Sequence, residues 1–360
     1  MKFAALMLLV ILTQQSFSQN VSNIQLEHMR QQSVRKEINL PDILGYTTLK
    51  GDFHMHTVFS DGIVWPTLRV DEAWQEGLDA IAITEHIEHR PKREFVKGDH
   101  NSPYEIALPR AQQLDVILIR SGEITRSMPP GHLIAMFLND INALDTPDVN
   151  DAIQAAADQG AFIFWCHPGW KAQQPDTTLW MPDHQVLLEK GLMHGIEVFN
   201  EKEWYPIALD WGLEKDLAIL GFSDIHIVTS HYYDLVNGHR PMTLIFATER
   251  SEEAIKEAMF DGRTVAWFDN KLAGKEEFLR AIFDASVTFE DTGHERRGRK
   301  QIKVRNHYAI PFFITDDQGN QIQLPPEAEI IVPMQKGTTA IQVTNLFIGA
   351  VENLKVEITL

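Results

Sequence analysis

The feature that most constrains this chain is an alternation. From about residue 51 to residue 285, short apolar runs are separated by longer amphipathic segments. The runs cover residues 80–83, 116–119, 133–138, 161–165, 196–199, 217–220 and 243–246. Their shortness and their flanking turn formers mark strands rather than helices. The segments between them carry helix signals. Pro147 and Gly160 bracket 148–159, Ser251 stands as N-cap of 251–260 with Glu252 and Glu253 in its first turn, and 67–76 is a further helix-like stretch. Strand–helix alternation over so many units implies a largely parallel sheet, either a barrel or an open doubly wound sheet.

The pattern changes near residue 285. A helix-like segment at 276–285 is followed by strand-like runs at 287–289, 302–304, 310–314, 330–333 and 340–343, with turn formers such as Asp316-Asp317-Gln318-Gly319 between them. This predicts a small antiparallel β unit over 286–360. The basic cluster Arg296-Arg297-Gly298-Arg299-Lys300 is placed in one of its loops. Residues 20–50 read as an irregular or helical lead-in.

The first eighteen residues have the order of a secretory leader. Lys2 precedes an apolar run over 3–12, and a more polar stretch ends at Ser18. The run is too short to span a bilayer of ~30 Å, and no later stretch is long enough to do so. The expectation is a leader over 1–18, cleavage before Gln19, and export, most simply to a bacterial periplasm.

Hydrophobic residues make up 44% of the chain and charged residues 23%, which fits a folded domain rather than a disordered one. With 50 acidic and 32 basic residues the net charge is −18, so a broad grip on nucleic acid is not expected. A small anionic substrate stays open, because a metal site supplies local positive charge. The single cysteine, Cys166, excludes an intrachain disulfide and any zinc site built on several thiolates. There is no G-x-S-x-G elbow, no G-x-G-x-x-G and no P-loop.

Metal-type residues recur at or just after the C-terminal ends of the apolar runs. His54 and His56 stand two apart, so on a strand both reach the same face. The run 80–83 closes on His86, 116–119 on Glu123, 161–165 on His167, and 217–220 on Asp224 and His226. His132 follows Pro129-Pro130-Gly131, and Asp61 sits in Ser60-Asp61-Gly62. In a parallel α/β barrel all such strand ends lie on one face, where active sites form. Any one of these residues alone has a bland reading as a turn or core residue. Their joint placement is the argument for a metal centre. Cys166 alternates with His167 and is expected to point into the packing.

These residues resemble the PHP (polymerase and histidinol phosphatase) family of metal-dependent phosphoesterases, over about residues 51–271. The motif H-x-H followed by S-D-G stands as His54-Met55-His56 and Ser60-Asp61-Gly62. The usual T-D-H appears as Thr84-Glu85-His86, with glutamate where aspartate is common, and Glu85 is not expected to be a ligand. The last motif, S-D-x-H, is Ser223-Asp224-Ile225-His226. The resemblance implies a distorted (β/α)7 TIM-like barrel over 19–285, followed here by a small antiparallel β domain. It implies two or three divalent ions, with Zn, Mn and Fe all open for imidazole and carboxylate ligands. His54, His56, Glu123 and Asp224 would hold the first, and Glu123, His132 and His167 the second. Asp61, His86 and His226 would hold the third.

The implied reaction is hydrolysis of a phosphate mono- or diester by a hydroxide bridging the metals, with Glu123, Asp224 and His226 as catalytic residues. Arg126 and Lys171 follow ligand positions and stand as candidate phosphate clamps. Asn200 and His231 complete the candidate substrate contacts, and Trp170 is placed on a loop that shapes the pocket. A small phosphorylated substrate, no nucleic-acid polymer and no membrane span are expected, with the oligomeric state open. Two rivals stay open: an amidohydrolase-like metal hydrolase of amides or lactones, and an exported binding protein without activity.

Overall fold

Each apolar run forms a strand in the computed structural model, which describes residues 34–316 and 318–359 together with Leu26 and Met29. The expected leader lies outside the described residues. The strands that build the site all fall within one unit, Arg35–Leu360. In chain order they are Thr47–Asp52, Ala80–Ile83, Ile117–Ile124, Leu133–Met136, Phe162–Trp165, Gly195–Asn200 and Ala218–Phe222, followed by Met242–Ala247 and Thr264–Phe268.

Two parallel groups form the centre. Thr47–Asp52, Ala80–Ile83 and Ile117–Ile124 pair parallel in that order. Phe162–Trp165, Gly195–Asn200 and Ala218–Phe222 do the same. Leu133–Met136 joins the groups and runs antiparallel to both neighbours. On the other edge, Met242–Ala247 lies antiparallel to Thr47–Asp52, and Thr264–Phe268 and then Lys271–Gly274 continue antiparallel. The result is a mixed α/β fold whose parallel strands carry their C-terminal ends to one side. The central strands are buried on both faces, which is why they read as continuous apolar runs.

The lead-in was expected to be irregular or helical to residue 50, yet Thr47–Asp52 is a strand. It contains little apolar side chain. Its conformation is set by backbone pairing on both sides, not by local composition.

Helices cover the sheet. Pro66–Gln75, Ser102–Leu114, Pro182–Glu189 and Pro206–Glu214 each carry proline in the first turn, where its missing N–H costs nothing and its φ is already helical. Asp148 caps Val149–Ala157 by accepting from Asn150 N, and Ser251 caps Glu252–Phe260 by accepting from Ala254 N. Among the described residues no helix is long and apolar enough to cross a membrane.

Beyond Glu276–Ser286 the chain is antiparallel β. Val287–Arg296, Arg299–Asn306 and Glu329–Met334 form one three-stranded sheet. Phe312–Asp316, Gln321–Leu324, Thr338–Phe347 and Asn353–Thr359 pair with one another. This second set joins the main sheet, because Thr338–Phe347 pairs parallel with Lys271–Gly274 at Leu272↔Leu346 and Ala273↔Phe347. Phe283 of the connecting helix meets Phe312 edge-on at 5.2 Å. Each such buried ring contributes roughly 1.5–3 kcal/mol of burial. The basic cluster is the tip of a hairpin rather than an open loop: Arg296 faces Arg299, and Arg297 and Gly298 turn the chain with φ of 54° and 78°.

Candidate metal centre

The strand ends bring the predicted residues together. His54 and His56 follow Thr47–Asp52, His86 follows Ala80–Ile83, and Glu123 lies in Ile117–Ile124. His132 precedes Leu133–Met136, His167 follows Phe162–Trp165, and Asp224 and His226 follow Ala218–Phe222. His54, His56 and Glu123 are fully buried, and His86, His132 and His167 nearly so.

Glu123 is the centre of the array. His54 Nε2 lies 3.4 Å from Glu123 Oε2 and 3.1 Å from Asp224 Oδ1. His56 Nε2 lies 3.3 Å and 3.0 Å from the same two atoms. His86 Nδ1 is 3.0 Å from Glu123 Oε2. On the other side, His132 Nδ1 is 2.6 Å and His167 Nε2 3.9 Å from Glu123 Oε1. Asp61 Oδ1 sits 3.2 Å from His226 Nε2 and 3.5 Å from His86 Nε2.

These atoms converge without satisfying one another. His54 Nε2, His56 Nε2, both oxygens of Glu123, His132 Nδ1 and Asp224 Oδ1 are buried and make no hydrogen bond. Leaving a buried polar atom unpaired costs about 1–3 kcal/mol, so a cluster of them calls for a partner. Imidazole nitrogens and carboxylate oxygens aimed at common points are the donor set of a divalent cation. The residues fit such an ion. Among the described residues five overlapping groups have donor atoms within 4.8 Å of one another: His54–His56–Asp224, His54–Glu123–His167, His86–Glu123–His132, His56–Asp61–His86–His226 and His54–Cys166–Glu197.

The electrostatics agree. Burial alone would raise the carboxyl of Glu123, but His86 and His132 outweigh it and hold the group well below the usual range. Asp224 behaves likewise, burial being overcome chiefly by His54. Burial, together with His86 and His226, pushes His56 down to about 3, the neutral form a ligand requires. Burial also lowers His86, yet Glu123 and Asp61 carry it up to about 10. Protons on such imidazoles balance the carboxylates until a cation displaces them.

Glu85 explains its departure from the usual motif. It is buried, and it accepts from Thr57 N at 3.2 Å and from the hydroxyls of Thr57 and Ser60. It therefore clamps the loop that presents Asp61. Gly62 is required in that loop, since a Cβ there would stand 2.6 Å from the carbonyl carbon of His56. Cys166 is buried, as its alternation with His167 predicts.

Sequence reasoning missed the supporting groups. Glu197 is fully buried; His54 Nδ1–H donates to its Oε1 at 2.8 Å, and its Oε2 accepts from His167 N at 2.7 Å and Asn200 Nδ2 at 2.9 Å. A carboxylate on Nδ1 fixes the tautomer that leaves Nε2 free for a cation. The available signal was a lone glutamate inside an apolar strand. Two buried arginines were also missed. Arg69 donates to the carbonyls of His56, Ile225 and Ile227 at 3.0, 2.9 and 2.8 Å. Arg240 bonds Glu76 through two nitrogens and Asp52 through a third, and Asp52 accepts from Ser223 N at 3.1 Å. The pair pins the segments that carry His56 and Asp224.

Above the array opens a cleft of roughly 450 Å³, lined in part by Thr125, Trp170, Asn200, Glu201 and Glu203. Asn200 and Trp170 thus lie where the sequence placed them. Arg126, Lys171 and His231 are not among the residues that line the cleft. Arg126 Nε is 2.7 Å from Glu88 Oε1, and its other nitrogens donate to the carbonyls of Thr146 and Pro147, so its charge is spent on the scaffold. Lys171 and His231 are exposed and do not line the cleft.

No protein-family model and no curated protein matches the chain. A solved structure does. A two-domain protein from Bacteroides vulgatus, containing a predicted PHP-like metal-dependent phosphoesterase, is 42% identical over 92% of this chain and 100% of its own, with a TM-score of 0.88. The chain belongs to the PHP-like metal-dependent phosphoesterases. Two further structures are remote. A candidate metal-dependent phosphoesterase from Bifidobacterium adolescentis is 18% identical over 49% of this chain and 87% of its own, with a TM-score of 0.39. An amidohydrolase from Chromobacterium violaceum with bound sulfate and no metal is 13% identical over 50% and 88%, with a TM-score of 0.38. In this PHP-like protein the unpaired donor atoms include both histidines of H-x-H and the aspartate of S-D-x-H, two of the motifs that carried the resemblance, together with Glu123, His132 and His167.

Proposed function

We propose that this PHP-like protein hydrolyses a phosphate mono- or diester at a centre of two or three divalent cations. The observation that carries the reading is the set of buried, unpaired donor atoms around Glu123, open to a cleft of substrate size. His54, His56, Glu123 and Asp224 would hold one ion, and Glu123, His132 and His167 a second. Asp61, His86 and His226 would hold a third. Such ions supply Lewis acidity, lowering the pKa of water toward ~7 and neutralising charge on the phosphoryl oxygens.

The chain's own residues do the rest. Glu123 presents one oxygen to each side of the array. Glu197 holds His54 in the ligating tautomer. Asp224 and His226 border the cleft, where the departing alcohol collects its proton. Water adds to phosphorus, the P–O bond to the alcohol breaks, and the alcohol leaves protonated.

The same reading covers the wider architecture. The sheet is taken as the wall of a distorted seven-strand barrel, supported by bonds across its seam from Ile219 N to Thr264 Oγ1 at 3.1 Å and Gly221 N to Thr243 Oγ1 at 3.0 Å. Residues 286–360 are taken as an accessory β domain, and export rests on the leader-like first eighteen residues. Sequencing the N-terminus of protein recovered from culture tests the last point.

The deciding experiment reconstitutes the protein with Mn, Zn or Fe and assays p-nitrophenyl mono- and diesters beside amides and lactones. Turnover of a phosphate ester is expected. Turnover confined to amides or lactones overturns the reading.

A further inference from the structure

The loops that follow His56 and His86 share one side of the cleft mouth, since Asp61 of the first and His89 of the second both line it. They are tied together. Arg90 Nε donates to the Phe59 carbonyl at 3.2 Å, and Lys92 Nζ donates to the Gly62 carbonyl at 2.7 Å. The second loop is wound into tight turns. Arg93 N donates to the Arg90 carbonyl at 3.2 Å, and Phe95 N and Val96 N both donate to the Lys92 carbonyl at 2.9 Å. Backbone bonds therefore set its shape, while its side chains stay largely outside the packing.

The composition of this loop runs against the rest of the chain. In a protein of net charge −18, residues 90–97 carry Arg90, Lys92, Arg93 and Lys97 against one carboxylate, Glu94. Among the described residues none of these cations forms an ion pair, and Arg90, Lys92 and Lys97 donate only to carbonyls. The turn leaves Phe95 84% exposed, and the first loop leaves Ile63 59% and Trp65 49% exposed. Both loops rest on the buried Phe59. Its ring lies 5.6 Å from that of Trp65, and a Cβ at Gly98 would stand 2.8 Å from its Cε1.

Single exposed apolar residues are ordinary on a surface. Here three share a rim with four cations that folding leaves unpaired. Aromatic and aliphatic side chains settle at the headgroup level of a bilayer, where lysine and arginine meet lipid phosphates. We infer that this rim docks on an anionic lipid bilayer, with the cleft mouth beside the membrane and the chain remaining peripheral to it. The acidity of the whole chain does not prevent this. At 0.1 M salt the Debye length is ~10 Å, so the bilayer interacts with the rim and not with remote carboxylates. A single-stranded nucleic acid also takes cations beside aromatic rings, but Ile63 offers it nothing, and beyond the rim a polyanion meets the excess of acidic residues.

The test is flotation of the full chain with vesicles of phosphatidylcholine alone, or of phosphatidylcholine with about one-third phosphatidylglycerol, at about 0.1 M and about 0.5 M salt. Partition onto the mixed vesicles is expected, weakening as salt rises. Each cation at an anionic surface is worth about fivefold in partition. R93Q/K97Q is therefore expected to lose about 25-fold, and Phe95→Ser about tenfold. Both variants should unfold thermally with the parent protein, because the side chains they change are exposed. Equal partition onto the two vesicle types, partition onto neither, or partition unchanged in either variant overturns the inference. A fluorescent single-stranded oligonucleotide that binds the parent but not R93Q/K97Q, with no partition onto vesicles, overturns it in favour of nucleic acid. None of these readouts depends on turnover, so the phosphoesterase reading stands or falls separately.

Discussion

Glu197→Gln isolates the group that sequence reasoning missed. All three partners of Glu197 are donors: the Nδ1–H of His54 at 2.8 Å, the backbone N–H of His167 at 2.7 Å and Asn200 Nδ2 at 2.9 Å. A carboxylate accepts all three. Glutamine keeps the volume but replaces one oxygen with a donor. Turned one way, its NH2 faces His167 N and Asn200. Turned the other, it faces His54 and drives the imidazole proton onto Nε2, the atom aimed at Glu123 and Asp224. A lost hydrogen bond to a charged group is worth about 1.5–3 kcal/mol. At 1.4 kcal/mol per decade that is roughly a ten- to hundredfold loss of cation affinity. Competition against a chromogenic chelator measures it directly, and far-UV circular dichroism checks that the fold is retained. Cation affinity within about twofold of the parent protein would refute the claim that Glu197 sets the His54 tautomer.

Further outcomes follow from the same contacts. Glu123→Gln removes the shared centre, so metal content and turnover should fall further than the ~10–100-fold typical of an outer partner, with the chain still folded by circular dichroism. Arg240→Met leaves Glu76 and Asp52 buried without their cation and should cost about 3–5 kcal/mol in urea unfolding, a change under about 1 kcal/mol counting against the network. His239 is pushed down to about 4, chiefly by burial, and its Nε2 is buried without a partner. It is neutral in the native state while the unfolded chain takes up a proton near 6.5, so stability should fall as pH drops from about 6.5 to 4. His239→Gln should flatten that slope by up to one proton, about 1.4 kcal/mol per pH unit, in unfolding titrations at stepped pH.

What the sequence revealed and what it hid have different physics. The cluster of candidate donors was legible because strand ends in an α/β sheet share a side, and a polar residue closing an apolar run stands out. Glu197 was hidden because Gly195–Asn200 is buried on both faces, so alternation cannot tell which face meets the site. Arg69 and Arg240 were hidden because an arginine in sequence is presumed solvated, while here both are fully buried against carboxylates and carbonyls. Arg126 misled for a related reason. Its position after Glu123 fixes where its Cα sits, but a long side chain goes to whichever acceptors are near, and those are Glu88, Thr146 and Pro147. The join between Lys271–Gly274 and Thr338–Phe347 is long-range, and a period of two specifies faces, not partners.

The hidden residues matter because of what the backbone does at the ligands. His167 and Asp224 both hold positive φ, 31° and 48°. For a residue with a Cβ this conformation costs about 1–2 kcal/mol. It persists because each amide is committed: His167 N to Glu197, and Asp224 N to the His54 carbonyl at 2.8 Å. Arg69 holds the next turn through the Ile225 and Ile227 carbonyls. The buried network therefore fixes the directions of the donor atoms through the backbone, independently of any ion. A cation arriving at this array meets ligands already aimed, and the ordering cost that would weaken its binding has been met in folding the scaffold.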